Sequence, residues 1–397
     1  MPLDPIVVLD IGTSRIRALV AEENADGQSP GVLTITGYGE YPSAGIRKGA
    51  CVHMDSAAAQ IRSAINDASD AARVTTRSVH LPLTGVGIDS CVNLVGLKIN
   101  GEILPEHVDE ILALSRARVN ASDALLHNVV RHYAVDGIPG DLPVGVLCKE
   151  LTLETLLIYG PKTRLLNLVH VLERLKIEVT TPFFAGLCAA VSSLTPEQKH
   201  DGVLLIDLGA GTTDFVAYAG AQMADAGVLP VGGEQLTNDI AAAFHLQPAD
   251  AEKLKRAHAQ ATLNATSRTQ RVPAGPNGNT IRLFDLQQVA NSRMTEIFSL
   301  IRDRLQRKDL LSQLRAGVVL SGGGAMLADV VTLASTVFDL PCSIAEPRLP
   351  GATHDPAHGP QMATAFGAVA LAYDELTEAA ANQKTLWRGV KNFFGFR

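Results

Sequence analysis

The chain has 397 residues, of which 46% are hydrophobic and 19% charged; this composition excludes an intrinsically disordered protein and allows two or more domains. The net charge of −7, without clusters of lysine and arginine, argues against a nucleic-acid-binding surface. The five cysteines form no C-x-x-C pair, which predicts reduced thiols in a cytosolic protein. We expect neither a signal peptide nor a transmembrane helix, because a basic start and a run of about 18 apolar residues are both missing.

The first half of the chain opens with two apolar runs around a polar turn. Residues 6–9 precede the turn sequence DIGTSR at residues 10–15, and residues 16–20 follow it. This pattern predicts two strands joined by a hairpin turn. Farther along, it predicts a helix at residues 56–72 and a strand at residues 77–83.

The next segment is predicted to be a small α+β unit inserted into the first half. Its predicted elements are strands at residues 91–99, 129–135 and 151–159 and a helix at residues 106–119. After it, apolar residues at helical spacing predict helices at residues 161–175 and 182–194.

The second half repeats the opening pattern. The apolar run at residues 203–206 precedes the turn sequence DLGAGTTD at residues 207–214, and a further apolar run follows. Beyond it the sequence predicts helices at 234–244, 249–258, 286–307 and 361–376, a loop at 266–280, and a buried strand at 317–320 that ends in three glycines.

The two turn sequences are suited to hold one polyphosphate between them. Tight glycine turns present backbone N–H groups and hydroxyls add donors, which selects Gly12, Thr13 and Ser14 in the first turn and Gly209, Gly211, Thr212 and Thr213 in the second. Asp10 and Asp207 can hold Mg²⁺ through its waters, and Arg15 adds a cation. One such turn alone is better interpreted as an ordinary hairpin turn, but two copies in corresponding halves favour the phosphate site.

Two further segments fit a nucleoside. The sequence SGGGAM at residues 321–326 follows a predicted strand and precedes a predicted helix, so a flat base can lie on bare backbone near partial positive charge. Gly233 opens another helix, and it is followed by Glu252 and Lys255, which share a helix face. A surface ion pair explains Glu252 and Lys255 equally well.

The last residues have an amphipathic pattern. As a helix, residues 384–397 place five apolar side chains on one stripe, with Lys384, Arg388 and Lys391 beside or opposite it; the five are Leu386, Trp387, Val390, Phe393 and Phe394. Such a pattern is typical of a helix that lies in a membrane interface. A terminal helix docked on its own core would also bury the stripe, but it would not need the cations.

These motifs resemble those of the actin, heat-shock chaperone and sugar kinase superfamily, with phosphate motifs at residues 10–15 and 207–214 and an adenosine motif at residues 321–326. Within it, the chain resembles the FtsA family of bacterial cell division proteins. That resemblance extends over nearly the whole chain and includes GYG at 37–39, SAGIRKG at 43–49, SVHLPLTG at 78–85, FAGL at 184–187 and GGEQLTNDIA at 232–241.

The resemblance implies an α/β, actin-like ATPase-domain fold: two RNase H-like halves around a nucleotide cleft, an inserted α+β 1C subdomain and a C-terminal amphipathic helix. The implied divisions are subdomain 1A (1–83 and 161–198), subdomain 1C (84–160), subdomain 2A (199–229 and, with a closing helix, 315–381), subdomain 2B (230–314) and a membrane-targeting tail (382–397).

The resemblance also implies ATP with Mg²⁺ in the cleft. The implied phosphate contacts are Asp10, Gly12, Thr13, Ser14 and Arg15 from one side and Asp207, Gly209, Gly211, Thr212 and Thr213 from the other, and the implied nucleoside contacts are Gly233, Glu252, Lys255, Gly322, Gly323, Gly324 and Met326. Relatives usually carry lysine where this chain has Arg15. Arginine has the same charge as lysine, but its side chain is longer and ends in a forked guanidinium. Because no base is obviously placed to activate a water, we expect slow hydrolysis that serves as a switch and no metabolic reaction.

The implied function is to polymerise, to anchor the FtsZ ring to the cytoplasmic face of the membrane at the division site as a peripheral protein, and to recruit later division proteins. The implied partners are the C-terminal peptide of FtsZ, other copies of the chain and anionic lipid. Arg293 is a candidate contact for that peptide, although an ordinary solvated arginine is an equally good interpretation. Two alternatives stay open: an adaptor of a pilus assembly platform, which the tail argues against, and a small-molecule or sugar kinase, for which no acceptor carboxylate is evident.

Overall fold

The computed structural model of the protein describes residues 4–24, 31–275, 279–350 and 359–382, and the side chains of these except residues 379–382. They form two sheets, of five and nine strands, flanked by helices, and two small two-stranded sheets. Each large sheet contains an antiparallel hairpin that carries one copy of the repeated turn sequence. The elements before the insertion are β1 (Ile6–Ile11), β2 (Arg15–Glu23), β3 (Leu33–Pro42), β4 (Ile46–Arg47), β5 (Ala50–Cys51), α1 (Met54–Ala72) and β6 (Ser78–Leu83).

The inserted segment is built around three long antiparallel strands. Its elements are β7 (Asp89–Glu102), α2 (Pro105–Arg116), β8 (Asp123–Val135), β9 (Ile138–Gly140) and β10 (Leu147–Pro161). The long strands lie in the order β7-β10-β8, and β9 forms a short edge. A single bridge between Gly227 and Asp89 joins β7 to the second half, so the insertion extends the nine-stranded sheet.

The chain then returns to the first sheet. The elements are α3 (Lys162–Arg174), β11 (Glu178–Phe184), α4 (Ala185–Ser193) and α5 (Pro196–Asp201). The strand order is β11-β6-β1-β2-β3, in which β11, β6 and β1 are parallel and β2 and β3 are antiparallel. β1 occupies the centre of this sheet because its residues are nearly all apolar and buried.

The remaining elements form the second half. They are β12 (Val203–Leu208), β13 (Thr213–Ala219), β14 (Gln222–Leu229), α6 (Gly233–Phe244), α7 (Pro248–His258), β15 (Arg271–Pro273), β16 (Thr280–Arg282), α8 (Leu283–Arg307), β17 (Val318–Ser321), α9 (Val330–Phe338), β18 (Cys342–Ile344) and α10 (Ala363–Asn382). The nine-stranded sheet begins β18-β17-β12-β13-β14 and continues into the insertion.

Glycines allow helices to pack directly on their neighbours at two places. A Cβ on Gly37 or Gly39 of β3 would overlap the backbone of α1, at Ala68 and Ala64 respectively. A Cβ on Gly367 of α10 would overlap the carbonyl of Cys188 in α4. The sequence GYG at residues 37–39 therefore has a packing role, because only glycine permits this approach.

Two of the predicted elements outside the glycine-rich segments are wrong in part. The predicted helix at residues 182–194 begins only at Ala185, because Pro182–Phe184 end strand β11. Pro182 is tolerated there since β11 is an edge strand. The predicted loop at residues 266–280 contains the short strand β15 and begins with a 3-10 turn, Ala265–Arg268.

Two histidines stack with Phe183 and connect the insertion to the first sheet. The ring of Phe183 lies 6.0 Å from that of His80 in β6 and 6.3 Å from that of His127 in β8, nearly parallel to both. His127 Nε2 accepts a hydrogen bond of 2.8 Å from the N–H of Phe184. Burial lowers the pKa of each histidine to about 4, so both are neutral at pH 7.

These histidines predict acid destabilisation. Below pH 6.5 these histidines become protonated in the unfolded chain but stay neutral in the native protein. Their contribution to the free energy of unfolding is therefore fully present above pH 6.5 and is lost as the pH falls towards 4. Between pH 7 and 4.5, the unfolding free energy of the wild type relative to that of His127→Gln should fall by about 2 kcal/mol, measured by urea denaturation. The same substitution of the exposed His200 is the control, and an equal effect there would contradict this account.

Candidate functional site

The first polar turn joins β1 to β2 and is fixed by backbone hydrogen bonds. The N–H of Gly12 donates to the carbonyl of Arg15 at 2.9 Å, which closes the turn around Thr13 and Ser14. The N–H of Ser43 donates to the carbonyl of Ser14 at 3.0 Å. Gly12 therefore uses its N–H inside the turn, and Thr13 and Ser14 form the tip.

The second polar turn joins β12 to β13 and packs on the start of α6. The N–H of Gly233 donates to the carbonyl of Gly209 at 2.9 Å, and the N–H of Glu234 donates to the carbonyl of Ala210 at 2.8 Å. Because N–H and C=O point in opposite directions across one peptide group, the N–H groups of Ala210 and Gly211 point away from the helix. The hydroxyl of Thr213 is used structurally, since it donates to the carbonyl of Val231 at 2.8 Å.

The two turns face each other across the junction of the halves. A Cβ placed on Gly211 would lie 2.5 Å from Thr13 Oγ1 and 3.0 Å from the backbone nitrogen of Lys48. A second contact crosses the junction nearby: Thr84 Oγ1, after β6, donates to Asp214 Oδ1 at 2.5 Å and lies 3.3 Å from Thr212 Oγ1. The predicted phosphate residues of both halves thus lie side by side.

Three carboxyl groups lie at the base of this junction. Burial raises the pKa of Asp10, raises that of Asp207 to about 6, and, with the neighbouring Asp207, raises that of Asp214 well above its usual range. Asp207 accepts hydrogen bonds from Ser321 at 3.2 Å and from Thr364 at 3.0 Å. Acids crowded in this way favour a bound cation, because its charge would compensate both their burial and their mutual repulsion.

The three junction carboxyl groups are not arranged to coordinate one metal ion directly. Within the described ranges, no three His, Cys, Asp or Glu side chains are arranged to hold one metal ion. The arrangement fits a cation that keeps most of its waters, as Mg²⁺ usually does.

The pKa of Asp207 gives a testable pH dependence. A cation needs the ionised carboxylate, so lowering the pH through about 6 protonates Asp207 and weakens cation binding. The affinity for Mg²⁺–ATP should fall roughly tenfold more between pH 7.5 and pH 5 in the wild type than in Asp207→Asn, measured by titration calorimetry. Equal pH dependences would rule out Asp207 as the titrating group.

The cation beside Asp10 is Arg17, which the sequence pattern missed. Arg17 Nη1 lies 3.7 Å from Asp10 Oδ2, and its Nε lies 2.7 Å from Glu40 Oε2. Arg15 is two residues away on the same face of β2, 38% exposed, with its Nε 3.7 Å from Glu40 Oε1. Arg15 therefore lies farther out than predicted. The sequence did contain a signal for Arg17, because it lies two residues after Arg15, on the same face of a largely apolar strand.

The glycine triplet packs against the second turn. Gly322 has φ +80°, and a Cβ there would overlap Asp207 Oδ1, while Gly324 lies against Leu208. Gly323 has open space around it, and Met326 is 66% exposed. The helix predicted to follow at once is replaced by a 3-10 turn, Gly323–Met326, and α9 begins only at Val330 because Asp329 interrupts the helix with φ 60°.

The pair Glu252 and Lys255 is part of a closed polar cluster. Lys255 Nζ lies 2.6 Å from Glu252 Oε2, 3.0 Å from the carbonyl of Gly233 and 2.8 Å from the hydroxyl of Thr237. Burial raises the pKa of Glu252, but hydrogen bonds from Lys255, Thr237 and Arg256 outweigh it and lower the pKa to about 2. The cluster joins α7 to the start of α6, beside the second turn, and is not an isolated surface pair.

Two predicted regions are not part of this junction. Arg293 on α8 is held by Asp239 of α6, at 2.6 Å from Nε and 2.9 Å from Nη2, and also contacts Glu296. The predicted membrane residues, Leu386, Trp387, Arg388, Val390, Lys391, Phe393 and Phe394, lie outside the described residues. In the part of the chain that is described, no helix is long and apolar enough to span a bilayer.

Comparisons with known sequences agree on one family. The family model described as cell division protein FtsA matches residues 204–367. The cell division protein FtsA of Escherichia coli K12 is 31% identical over 378 residues, covering 91% of this chain and 89% of that protein. The FtsA of Pseudomonas aeruginosa is 30% identical over 370 residues, covering 91% and 88%. The FtsA of Bacillus subtilis is 29% identical over 375 residues, covering 92% and 83%.

Solved structures agree on the fold. The PilM–PilN type IV pilus biogenesis complex has a TM-score of 0.63 and 16% identity, covering 94% of this chain and 99% of that chain. MreB5 of Spiroplasma citri bound to ADP has a TM-score of 0.57 and 13% identity, covering 96% and 99%. MreB5 bound to AMPPNP has a TM-score of 0.58 and 13% identity, covering 97% and 100%. The predicted actin-like α/β fold is confirmed, and at these identities the likeness shows the fold alone.

Proposed function

This chain belongs to the FtsA family of cell division proteins, and we propose that it is an ATP-dependent adaptor that polymerises and tethers the FtsZ ring to the cytoplasmic face of the membrane. The observation that carries the nucleotide part is the contact between the two glycine turns at Gly211 and Thr13. Two sets of donors on opposite sides of one cleft suit a polyphosphate. The MreB5 structures with ADP and AMPPNP support a nucleotide on this fold.

The proposed ligand is ATP with Mg²⁺. Thr13 and Ser14 would contact the phosphates from the first half, and Thr212 with the N–H groups of Ala210 and Gly211 would contact them from the second. Asp10 and Asp207 would hold Mg²⁺ through water, consistent with their raised pKa values. The open space at Gly323 would receive the base, and the other wall would be the cluster of Gly233, Glu252 and Lys255.

ATP contacts on both halves would favour the closed cleft over an open one. A ligand shifts a conformational equilibrium only by its different affinity for the two states, and a ligand that bridges the halves has such a difference. In the structure, Thr84 of the first half contacts Asp214 and Thr212 of the second half. We propose that the closed protomer is the form that stacks into filaments.

The tail at residues 382–397 would attach the filament to the membrane. Each large apolar side chain buried in the interface contributes about 1.5–3 kcal/mol, and each nearby lysine or arginine adds about 1 kcal/mol on anionic lipid. Ordering the segment offsets part of this, so one tail binds reversibly and a filament of many tails binds firmly. Attachment would be peripheral.

Helix α8 with α6 is the proposed site for the C-terminal peptide of FtsZ. Arg293 pairs with Asp239 and Glu296 in the free protein, so an acidic peptide would have to exchange for these partners. Such an exchange costs little net electrostatic energy and provides specificity. We also propose that the protein recruits later cell division proteins.

The two alternatives are weaker. The likeness to PilM–PilN is one of fold at 16% identity, whereas FtsA of E. coli is 31% identical over 91% of the chain. A kinase would need an acceptor site with a catalytic carboxylate. Of the three junction acids, Asp10 and Asp207 are assigned to Mg²⁺, and buried Asp214 accepts a hydrogen bond from Thr84.

The proposal is tested by sedimenting purified FtsZ with anionic vesicles and this protein. With the full chain and ATP, FtsZ should pellet with the vesicles; without ATP the amount should be smaller. A truncation after Gln383 should leave FtsZ in the supernatant. Equal pelleting by the truncated chain would contradict the tethering role.

A further inference from the structure

The hairpin β4–β5 lies at the junction of the halves and ends in an unusual residue. The sequence SAGIRKG at residues 43–49 contains the first strand of this hairpin and its two-residue turn, Lys48-Gly49. Both turn residues have left-handed backbone conformations, with φ 49° for Lys48 and 73° for Gly49. Asparagine or glycine is the favoured residue in the first position of such a turn, so lysine there breaks a local preference.

The turn is fixed from both halves of the molecule. A Cβ on Gly49 would overlap the backbone of Thr84 and Gly85, which holds the turn against the first half. A Cβ on Gly211 of the second half would lie 3.0 Å from the backbone nitrogen of Lys48 and 3.1 Å from its Cα. Lys48 therefore lies where the tip of the second glycine turn, Thr84 and the hydroxyl of Thr13 converge.

The ammonium of Lys48 has no protein partner in the described part of the chain. Arg15 and Arg17 of β2, in contrast, are both paired with Glu40. A lysine has a flexible four-carbon stem and behaves as a compact point charge, which suits it to a phosphate group. The backbone of Lys48 lies at the second glycine turn, so an ammonium without a counter-ion on this flexible stem is suited to reach an anionic ligand there.

Its position selects one end of that ligand. The start of the second turn, at Asp207 and Leu208, packs against Gly322 and Gly324, where the base is proposed to lie. The tip of the same turn, at Gly211, packs against Lys48. A nucleotide laid along this turn from the glycine triplet thus has its last phosphate nearest to Lys48.

We propose that Lys48 binds the terminal phosphate of a nucleoside triphosphate and so distinguishes it from the diphosphate. This inference rests on the proposed nucleotide site and adds a specificity-determining residue to it. With a nucleoside diphosphate bound, the ammonium of Lys48 would have no phosphate to contact. The hairpin would then sense, through one ion pair, whether the third phosphate is present.

The test measures ATP and ADP affinities of the full chain by calorimetry in the presence of Mg²⁺. Lys48→Asn removes the charge and keeps a residue that tolerates the left-handed conformation. It should weaken ATP by on the order of 10- to 100-fold and ADP by less than about threefold. Lys48→Arg should keep most of the preference for ATP. Arg47→Asn, on the exposed side of the same hairpin, is the matched control and should leave both affinities unchanged.

The possible failures are distinguishable. Wild-type affinities in Lys48→Asn, or an equal loss for ATP and ADP, would overturn the role of Lys48 while leaving the nucleotide site in place. A wild-type chain that binds neither nucleotide would overturn the site itself, and the inference with it.

Discussion

Replacing Gly211 with valine is expected to reduce ATP affinity by at least on the order of 100-fold without unfolding the protein. The first added carbon would meet Thr13 Oγ1 at 2.5 Å and the backbone of Lys48 at 3.0 Å and 3.1 Å. Thr13 could rotate away, but the backbone of Lys48 cannot yield without moving the hairpin. The hairpin would therefore be pushed away from the second glycine turn, and the Thr13 hydroxyl would be turned away from the place where it is proposed to meet the phosphates.

The control for this substitution is Gly101→Val. Gly101 lies in β7 of the insertion, and a Cβ there has nothing within 4 Å. It should bind ATP like the wild type. Thermal unfolding distinguishes a local effect from a folding defect, since both variants should melt within a few degrees of the wild type. An unchanged ATP affinity in Gly211→Val, measured by calorimetry, would show that the turns need not close on the ligand.

Replacing Trp387 with glutamate is expected to abolish sedimentation of the protein with anionic vesicles. The change removes the largest side chain of the predicted apolar stripe and places a negative charge at a negatively charged surface. The lost burial alone is worth up to about 3 kcal/mol, so the partition coefficient should fall on the order of 100-fold or more. The soluble fraction should keep its ATP affinity.

Trp387→Phe is the matched control, because it keeps an aromatic apolar side chain at the same place. It should retain most of the vesicle binding. If Trp387→Glu pelleted as well as Trp387→Phe, the stripe would have another purpose, such as docking on the core of the protein. In that case the glutamate variant should show a lower melting temperature.

The local part of this site could be predicted from the sequence, and the contacts between distant residues could not. Glycine turns between apolar strands depend on neighbouring residues alone, so both phosphate turns could be placed by inspection. Thr84 and Asp214 are 130 residues apart, and the hydroxyl and carboxylate of such residues carry no signal of their pairing. Thr237 was also missed. The available signal was its spacing of four residues from Gly233, which puts both residues on one face of α6.

The errors in secondary structure also have physical causes. Pro182 and the apolar residues around it suggested a helix start, but their burial in a parallel edge strand decides their conformation. Asp329 adopts a left-handed conformation, which separates the glycine triplet from the helix that was expected to follow it. In both cases the tertiary environment overrides local preference.

The central claim is that one triphosphate is held between Thr13 of the first half and Gly211–Thr212 of the second. A crystal structure of the full chain with Mg²⁺ and a non-hydrolysable ATP analogue tests it most directly. The account predicts β- and γ-phosphate oxygens within hydrogen-bond distance of both turns. Phosphates that contact one turn only, or an analogue bound elsewhere with the cleft empty, would contradict it.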